Sequence, residues 1–127
     1  MKEPVWIGTE FVFVIHEEML AEFGGSSGIR DRGLLESALG KPKNLFSYGR
    51  PSLFDLAAAY AFGIVKNHPF IDGNKRTGFM VAYTFLTRNG LELIASESGA
   101  AAAVLGLAAN EISEAQFSDW LKDNCRR

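Results

Sequence analysis

Nine consecutive residues hold the densest group of reactive side chains in this sequence. The segment His68–Arg76 reads HPFIDGNKR and contains an imidazole, a carboxylate, an amide, an ammonium and a guanidinium group. Each of these residues alone has an ordinary structural explanation, such as a helix cap, a turn or a solvated charge. Their combination in one short segment instead indicates a site that binds an anion and moves a proton.

The second half of this segment has the features of an anion site. Gly73 precedes the predicted first turn of a helix, where free backbone N–H groups and the positive end of the helix dipole meet. Lys75 and Arg76 lie in that turn, where a cation opposes the dipole and is unfavourable by some tenths of a kcal/mol. A bound polyphosphate would offset this cost.

Two other side chains could act on a bound phosphate. Asp72 is a hard oxygen ligand beside the predicted anion site, which suits Mg²⁺ shared between a carboxylate and phosphates. His68 is an imidazole, the group best suited to accept a proton from a hydroxyl near neutral pH. Phe70 and Ile71 are apolar, and one or both are expected to insert into the core and hold the segment rigid.

The remaining candidates are weaker. His16 lies beside two glutamates, and two histidines with a single cysteine do not predict a zinc site. The glycine-rich stretch Gly24–Gly28 lacks the phosphate-loop pattern and is predicted to be a surface loop. Arg30 could approach a substrate, but helix capping by Asp31 explains this segment without a function. Cys125 is expected to be an ordinary surface residue.

Caps and turn residues predict helices almost throughout the chain. Thr9, Asp31, Ser52 and Ser113 are the predicted N-caps, and Gly40 with Pro42 is expected to end the second helix. The predicted helices cover about 10–23, 31–39, 52–67, 74–89, 97–109 and 113–124, with a short turn or helical piece at 44–48 and an extended link at 91–94.

The third and fourth predicted helices should form the centre of the protein. Their runs Ala57–Val65 and Gly78–Leu86 are apolar on nearly all sides, which is typical of buried helices. The reactive segment therefore connects two core helices, with His68–Gly73 as a loop. The 127 residues show no repeat and no linker, so we expect one all-α domain over residues 1–127.

Composition excludes several classes of function. The net charge of −2 gives no bulk attraction to nucleic acid or to anionic membranes, so we expect no direct nucleic-acid binding. No apolar run reaches the roughly 18 residues that span a bilayer, and Phe11–Ile15 is too short for a signal peptide. A single cysteine allows no disulfide within the chain, which favours the cytoplasm.

The segment His68–Arg76 closely resembles the signature loop of the Fic/Doc family. The general family pattern is H-P-F-x-[DE]-G-N-G-R-x-x-R, and the Doc (death-on-curing) branch has H-x-F-x-[DN]-[AG]-N-K-R. The Doc pattern fits at every defined position. Chain length, the stretch Gly24–Leu39 and the helical pattern around the loop also resemble Doc-type proteins, so the resemblance covers nearly the whole chain.

The resemblance implies a role for each loop residue. His68 corresponds to the catalytic histidine, and Asp72 corresponds to the Mg²⁺ ligand. The residues that correspond to the anion hole for the nucleotide phosphates are Gly73, Asn74, Lys75 and Arg76.

Two positions depart from the general Fic pattern. Lys75 replaces a glycine, and Phe79 replaces the second arginine, which in Fic enzymes helps to hold the β- and γ-phosphates for AMP transfer. These departures suit a reversed nucleotide whose γ-phosphate lies at the reactive place. The Doc branch is known for phosphorylating a threonine of translation elongation factor Tu, which stops protein synthesis.

The family therefore implies a toxin that uses ATP or another nucleoside triphosphate with Mg²⁺. Two alternatives stay open: AMP or other nucleotidyl transfer by the same loop, and a non-catalytic module that binds phosphate or a partner. The implied partners are the protein substrate and a cognate antitoxin with a disordered tail. An internal inhibitory helix of the pattern [ST]-x-x-x-E-[GN] is not expected, because the chain has no Glu-Gly or Glu-Asn dipeptide.

Overall fold

The computed structural model describes residues 2–126 and contains six helices with two very short strands. The predicted all-α fold is therefore confirmed, with one small antiparallel pair in which Glu92 faces Arg126 and Leu93 faces Cys125. The elements are α1 (Thr9–Phe23), α2 (Arg32–Tyr48), α3 (Leu53–Asn67), α4 (Asn74–Arg88), β1 (Glu92–Leu93), α5 (Glu97–Ala108), α6 (Glu114–Asp123) and β2 (Cys125–Arg126).

Helix α3 is the central element. It packs against α2, α4, α5 and α6, and α4 also contacts α1 and α5. The apolar run predicted to be buried is buried on α3 almost without interruption. On α4 one helical stripe of the run is buried and the rest is half-buried. The loop His68–Gly73, here called the reactive loop, thus joins two core helices, as the sequence predicts.

Side-chain caps fix where several helices begin. Ser52 and Asp55 form a reciprocal capping box at α3, with N–O distances of 3.1 and 2.9 Å. Ser113 and Gln116 form a second one at α6, and Asp31 caps α2. These predictions are confirmed. Thr9 is not a cap, because it is the first helical residue of α1 and Gly8 precedes it without a side-chain hydrogen bond.

The predicted end of the second helix was wrong. Proline inside a helix removes one hydrogen bond and crowds the preceding turn, at a cost of about 3 kcal/mol. Here α2 nevertheless continues through Pro42 to Tyr48, and the predicted separate piece at 44–48 is its last part. The reason is burial, because the apolar stripe facing the core continues across the proline with helical spacing. The stripe consists of Leu35, Ala38, Leu39, Pro42 and the half-buried Phe46.

Across residues 2–126, no helix combines the length and the apolar character needed to cross a membrane.

Candidate active site

The reactive loop lies at the end of the α3–α4 pair. Helix α3 ends at Asn67, and α4 begins at Asn74 after the N-cap Gly73. His68–Gly73 is therefore a loop, as predicted. His68 has a left-handed backbone (φ 54°, ψ 55°), which is uncommon for a residue other than glycine. The imidazole side chain is exposed at this turn.

Phe70 anchors the loop in the core. Its side chain is 1% exposed, whereas Ile71 is 52% exposed, so one of the two apolar residues inserts. Asn74 closes the turn around it, because its Nδ2 donates to the Phe70 carbonyl at 2.9 Å and its Oδ1 accepts from the Phe70 N–H at 3.0 Å. The side chain of Asn74 is buried and engaged in the loop, which leaves its backbone N–H for a ligand.

His16 on α1 packs against the core side of the loop, a role that was not predicted from the sequence. Its ring is 2% exposed and stacks on Phe70, with ring centroids 3.8 Å apart. Its Nε2 lies 2.9 Å from the Asp72 carbonyl oxygen. Because a carbonyl only accepts, Nε2 carries the proton. Helical periodicity was the available signal, since position 16 belongs to the buried stripe Val12, Ile15, His16, Met19.

The exposed segment 24–31 lies alongside the loop and is hydrogen-bonded to it. The N–H of Ile71 donates to the Gly28 carbonyl at 3.1 Å, and Ile29 forms an isolated antiparallel bridge with Phe70. Arg30 donates both from its backbone and from its guanidinium to loop carbonyls. The surface loop predicted at Gly24–Gly28 is therefore also a support of the reactive loop.

Asp72 is exposed and carries an oriented carboxylate. Its Oδ2 accepts the Ser26 N–H at 3.2 Å and its Oδ1 accepts the Gly73 N–H at 2.8 Å. These two hydrogen bonds, with a smaller contribution from the Arg76 charge, hold the pKa of Asp72 below its ordinary value. Gly25 passes so close that an added Cβ would lie 2.8 Å from Oδ2, which explains a glycine here.

The donor set around Asp72 fits Mg²⁺ only together with a ligand. No cluster of three or more His, Cys, Asp or Glu side chains suited to a metal occurs within residues 2–126. Mg²⁺ commonly uses one or two carboxylates and completes its shell with phosphate oxygens and water. The ionised Asp72 carboxylate beside an anion site matches that requirement.

Most polar groups of the loop backbone are engaged within the protein, whereas the first N–H groups of α4 are free. Protein donors engage the carbonyls of Asn67, the last residue of α3, and of four loop residues, which are His68, Pro69, Phe70 and Asp72. Within the part of the chain that the structure describes, the N–H groups of Asn74, Lys75 and Arg76 have no acceptor. Three free N–H groups at a helix N-terminus form an anion site.

A cleft adjoins this anion site. It has a volume of about 340 Å³, with His68 and Lys75 at the polar side and apolar walls from α3 and α5. The apolar lining residues are Val65, Leu105, Ala108 and Ala109. Arg76 lies on the other side, where its guanidinium is 4.5 Å from the ring centroid of Phe23 on α1. Of the predicted site residues, His68, Asn74 and Lys75 thus line one cleft, whereas Arg76 lies on the other side of the loop.

Residues 6–86, which include α1–α3, the whole reactive loop and all but the last two residues of α4, match the model of the Fic/DOC family. A protein named Toxin Doc from Mycolicibacterium smegmatis is 45% identical over 76 residues, which are 58% of this chain and 58% of that protein. A protein named Protein kinase doc from Escherichia phage P1 is 32% identical over 117 residues, which are 91% of this chain and 92% of that protein.

The match to the mycobacterial protein spans somewhat more than half of its length, whereas the match to the phage protein spans nearly all of it. The helical fold, the loop between two core helices and these similarities agree with one another. The chain therefore belongs to the Fic/DOC family.

Proposed function

We propose that this chain is the toxin of a toxin–antitoxin pair and that it transfers the γ-phosphate of a nucleoside triphosphate to a Ser or Thr hydroxyl of a protein. One observation carries the proposal. His68, Asn74 and Lys75 line one cleft at the start of α4, whose first three N–H groups have no acceptor within residues 2–126, and the ionised Asp72 lies two residues before that helix. The names Toxin Doc and Protein kinase doc, borne by two relatives, support the same class of activity.

The proposed mechanism assigns one task to each group. His68 accepts the proton of the target hydroxyl, whose oxygen then bonds to the γ-phosphorus. The bond from that phosphorus to the β–γ bridging oxygen breaks, and the nucleoside diphosphate leaves. The N–H groups at the start of α4, with Lys75 and Arg76, stabilise the charge on the transferred group. Asp72 would hold Mg²⁺, which supplies further neutralisation of phosphate charge when it is bound.

The residue at position 79 supports γ-phosphate transfer over AMP transfer. Phe79 is half-buried and packs against the core, so α4 has no second arginine at the place where AMP-transferring relatives use one. Lys75 adds a charge where those enzymes have glycine. Both features suit a nucleotide that presents its γ-phosphate to the acceptor. Nucleotidyl transfer is the second candidate, because the same loop serves it.

The test uses ATP labelled at either the α- or the γ-phosphate. The purified chain, Mg²⁺ and elongation factor Tu, the proposed target, are incubated with each nucleotide, and the chain with His68→Ala is the control. We expect label on the factor from the γ-position alone, reduced about 10²–10⁴-fold in the control. Label from the α-position would show nucleotidyl transfer, and label from neither would favour a non-catalytic binding module.

We further propose that the chain acts in the cytoplasm and has a cognate antitoxin partner with a disordered tail. Such a tail would fold as an amphipathic helix on an apolar surface of the toxin. Helix α1 exposes Phe11 and Val14, one turn apart, at 37% and 53%. Expression of the chain alone should arrest growth, and co-expression with the adjacent reading frame should restore it. A lone protein that is harmless at high level, with His68→Ala growing no better, would contradict the toxin proposal.

A further inference from the structure

Arg30 is bonded to three consecutive residues at the junction of α3 and the reactive loop. Its backbone N–H donates to the Pro69 carbonyl at 2.6 Å. Its guanidinium donates from Nε to the His68 carbonyl at 2.7 Å and from a terminal nitrogen to the Asn67 carbonyl at 2.9 Å. Capping by Asp31 accounts for the start of α2 but not for these contacts, because the Arg30 side chain extends to the loop instead.

These carbonyls need an external partner. The last carbonyls of a helix have no N–H donor inside the helix. Glycine usually makes the left-handed turn that follows. Here His68 makes that turn at φ 54°, and Pro69 then supplies no N–H to cap α3. The residue before a proline is also restricted in its backbone angles. The conformation of His68 is thus unusual, and the surrounding structure must hold it.

We propose that Arg30 is a positioning residue for His68. Its planar fork holds the carbonyls on both sides of the His68 nitrogen and Cα, and so fixes the direction in which the imidazole leaves the backbone. Lysine would keep the charge but not the two coplanar donors. The inference rests on the proposed role of His68 in group transfer, and it deepens that proposal.

The test uses Arg30→Lys and Arg30→Gln, with Arg32→Lys as the matched control. Arg32 is also exposed, lies two residues away and forms ion pairs with Glu36 and Glu10 instead of contacting the loop. We expect the Arg30 variants to lower kcat for phosphate transfer by roughly ten- to a hundredfold, with less change in the KM for nucleotide. Melting temperatures should stay close to the unaltered chain, because Arg30 is exposed. Arg32→Lys should change neither constant.

A second readout does not depend on turnover. NMR backbone shifts of His68, which are sensitive to the sign of φ, should move in both Arg30 variants and stay in place in Arg32→Lys. Unmoved His68 shifts, or moved shifts with an unchanged kcat, would overturn the proposal. If the unaltered chain transfers neither phosphate nor nucleotide, the proposed function fails, and the His68 shifts alone decide whether Arg30 holds the loop.

Discussion

Lys75 and Arg76 are neighbours in sequence, but they have different surroundings. Lys75 lines the cleft against α5, whereas Arg76 lies against the ring of Phe23 on α1. Neither forms an ion pair within residues 2–126, although both are cations at the positive end of a helix. Their position is unfavourable in the free protein and becomes favourable when an anion is bound. We therefore expect both cations to contribute to anion binding and not to the stability of the fold.

Lys75→Gly should therefore reduce γ-phosphate transfer sharply. The lost charge-assisted contact is worth about 1.5–3 kcal/mol, which corresponds to roughly a 10–150-fold lower rate. A little nucleotidyl transfer, seen as label from the α-phosphate, is expected in this variant. The measurement is initial rate with γ- and α-labelled ATP.

A companion variant separates charge from backbone effects. Lys75→Gln should also lose activity, yet it should be as stable as the unaltered chain or slightly more stable, because a cation opposing the helix dipole is removed. Lys43→Gly, on the exposed side of α2, is the control for glycine in a helix. An unchanged γ-phosphate transfer rate in Lys75→Gly would show that Lys75 is only a surface charge.

Among the elements, α2 and α3 approach each other closely at one glycine of α3. Gly63 of α3 faces Ala38 of α2, and a Cβ added at Gly63 would lie 3.1 Å from the Cα and Cβ of Ala38 and 3.2 Å from its carbonyl oxygen. Pro42, which has no N–H, leaves that same carbonyl without its usual helical donor. The absence of a side chain on Gly63 therefore allows this part of α2 to lie directly on the central helix.

Gly63→Ala should destabilise the protein by about 1–3 kcal/mol through overpacking. This direction opposes helix propensity, which favours alanine over glycine by roughly 1 kcal/mol. Gly40→Ala in α2 is the matched control, since its Cβ would meet nothing within 4 Å, and it should stabilise. Urea unfolding of both variants gives the comparison, and a stabilised Gly63→Ala would mean that the two helices can separate without loss.

Local patterns predicted most of the helices but not how far α2 extends. Caps such as Ser52 and Ser113 act within one turn, so their effect can be read directly from the sequence. The continuation of α2 through Pro42 depends on burial against α3, which is a tertiary effect that propensity does not contain. The pairing of β1 with β2 joins residues 32 and 34 positions apart and was not predicted for the same reason.

For the site too, local features could be predicted from the sequence and long-range contacts could not. The loop, its helix start and its exposed charges come from contiguous residues and were found. His16 and Arg30 were not assigned to the site, because their partners are 56 and 38 residues away in sequence. Helical periodicity offers a signal for the burial of His16, but no local pattern indicates what it contacts.

At the scale of the whole molecule, the N-terminal segment is tied to the two core helices. The Tyr60 hydroxyl accepts the Ile7 N–H at 2.9 Å, and Asn89 bonds both backbone groups of Val5 at 2.8 and 3.1 Å. Burial raises the pKa of Tyr60 to about 12. The segment Val5–Ile7 is therefore part of the folded unit, and it covers a tyrosine whose ionised form is disfavoured by burial.

The stability of the protein should consequently fall at alkaline pH. The pKa of Tyr60 is higher in the folded chain than its ordinary value of 10.0, so its stabilising effect is complete below pH 10 and is lost as the pH rises through about 12. Tyr60→Phe should remove this part of the pH dependence. At neutral pH it should cost about 1–3 kcal/mol, because the buried Ile7 N–H loses its acceptor.

Urea unfolding between pH 8 and 12 is the measurement for this prediction. Tyr48→Phe is the control, because Tyr48 is 90% exposed and should leave the curve unchanged. If Tyr60→Phe and the unaltered chain lose stability in parallel above pH 10, another group is responsible for the alkaline loss.

The free N–H groups at the start of α4 have a consequence for hydrogen exchange. Since the carbonyls of the loop are engaged and the amides of Asn74, Lys75 and Arg76 are not, those three amides should exchange with deuterium rapidly in the free protein. An oxyanion such as inorganic phosphate or vanadate should slow all three together and leave the amides inside α4 unaffected. Sodium or potassium chloride at equal ionic strength should have little effect, since the loop offers a cation few free oxygens. Exchange mass spectrometry would thus detect the ligand preference of this surface without any turnover.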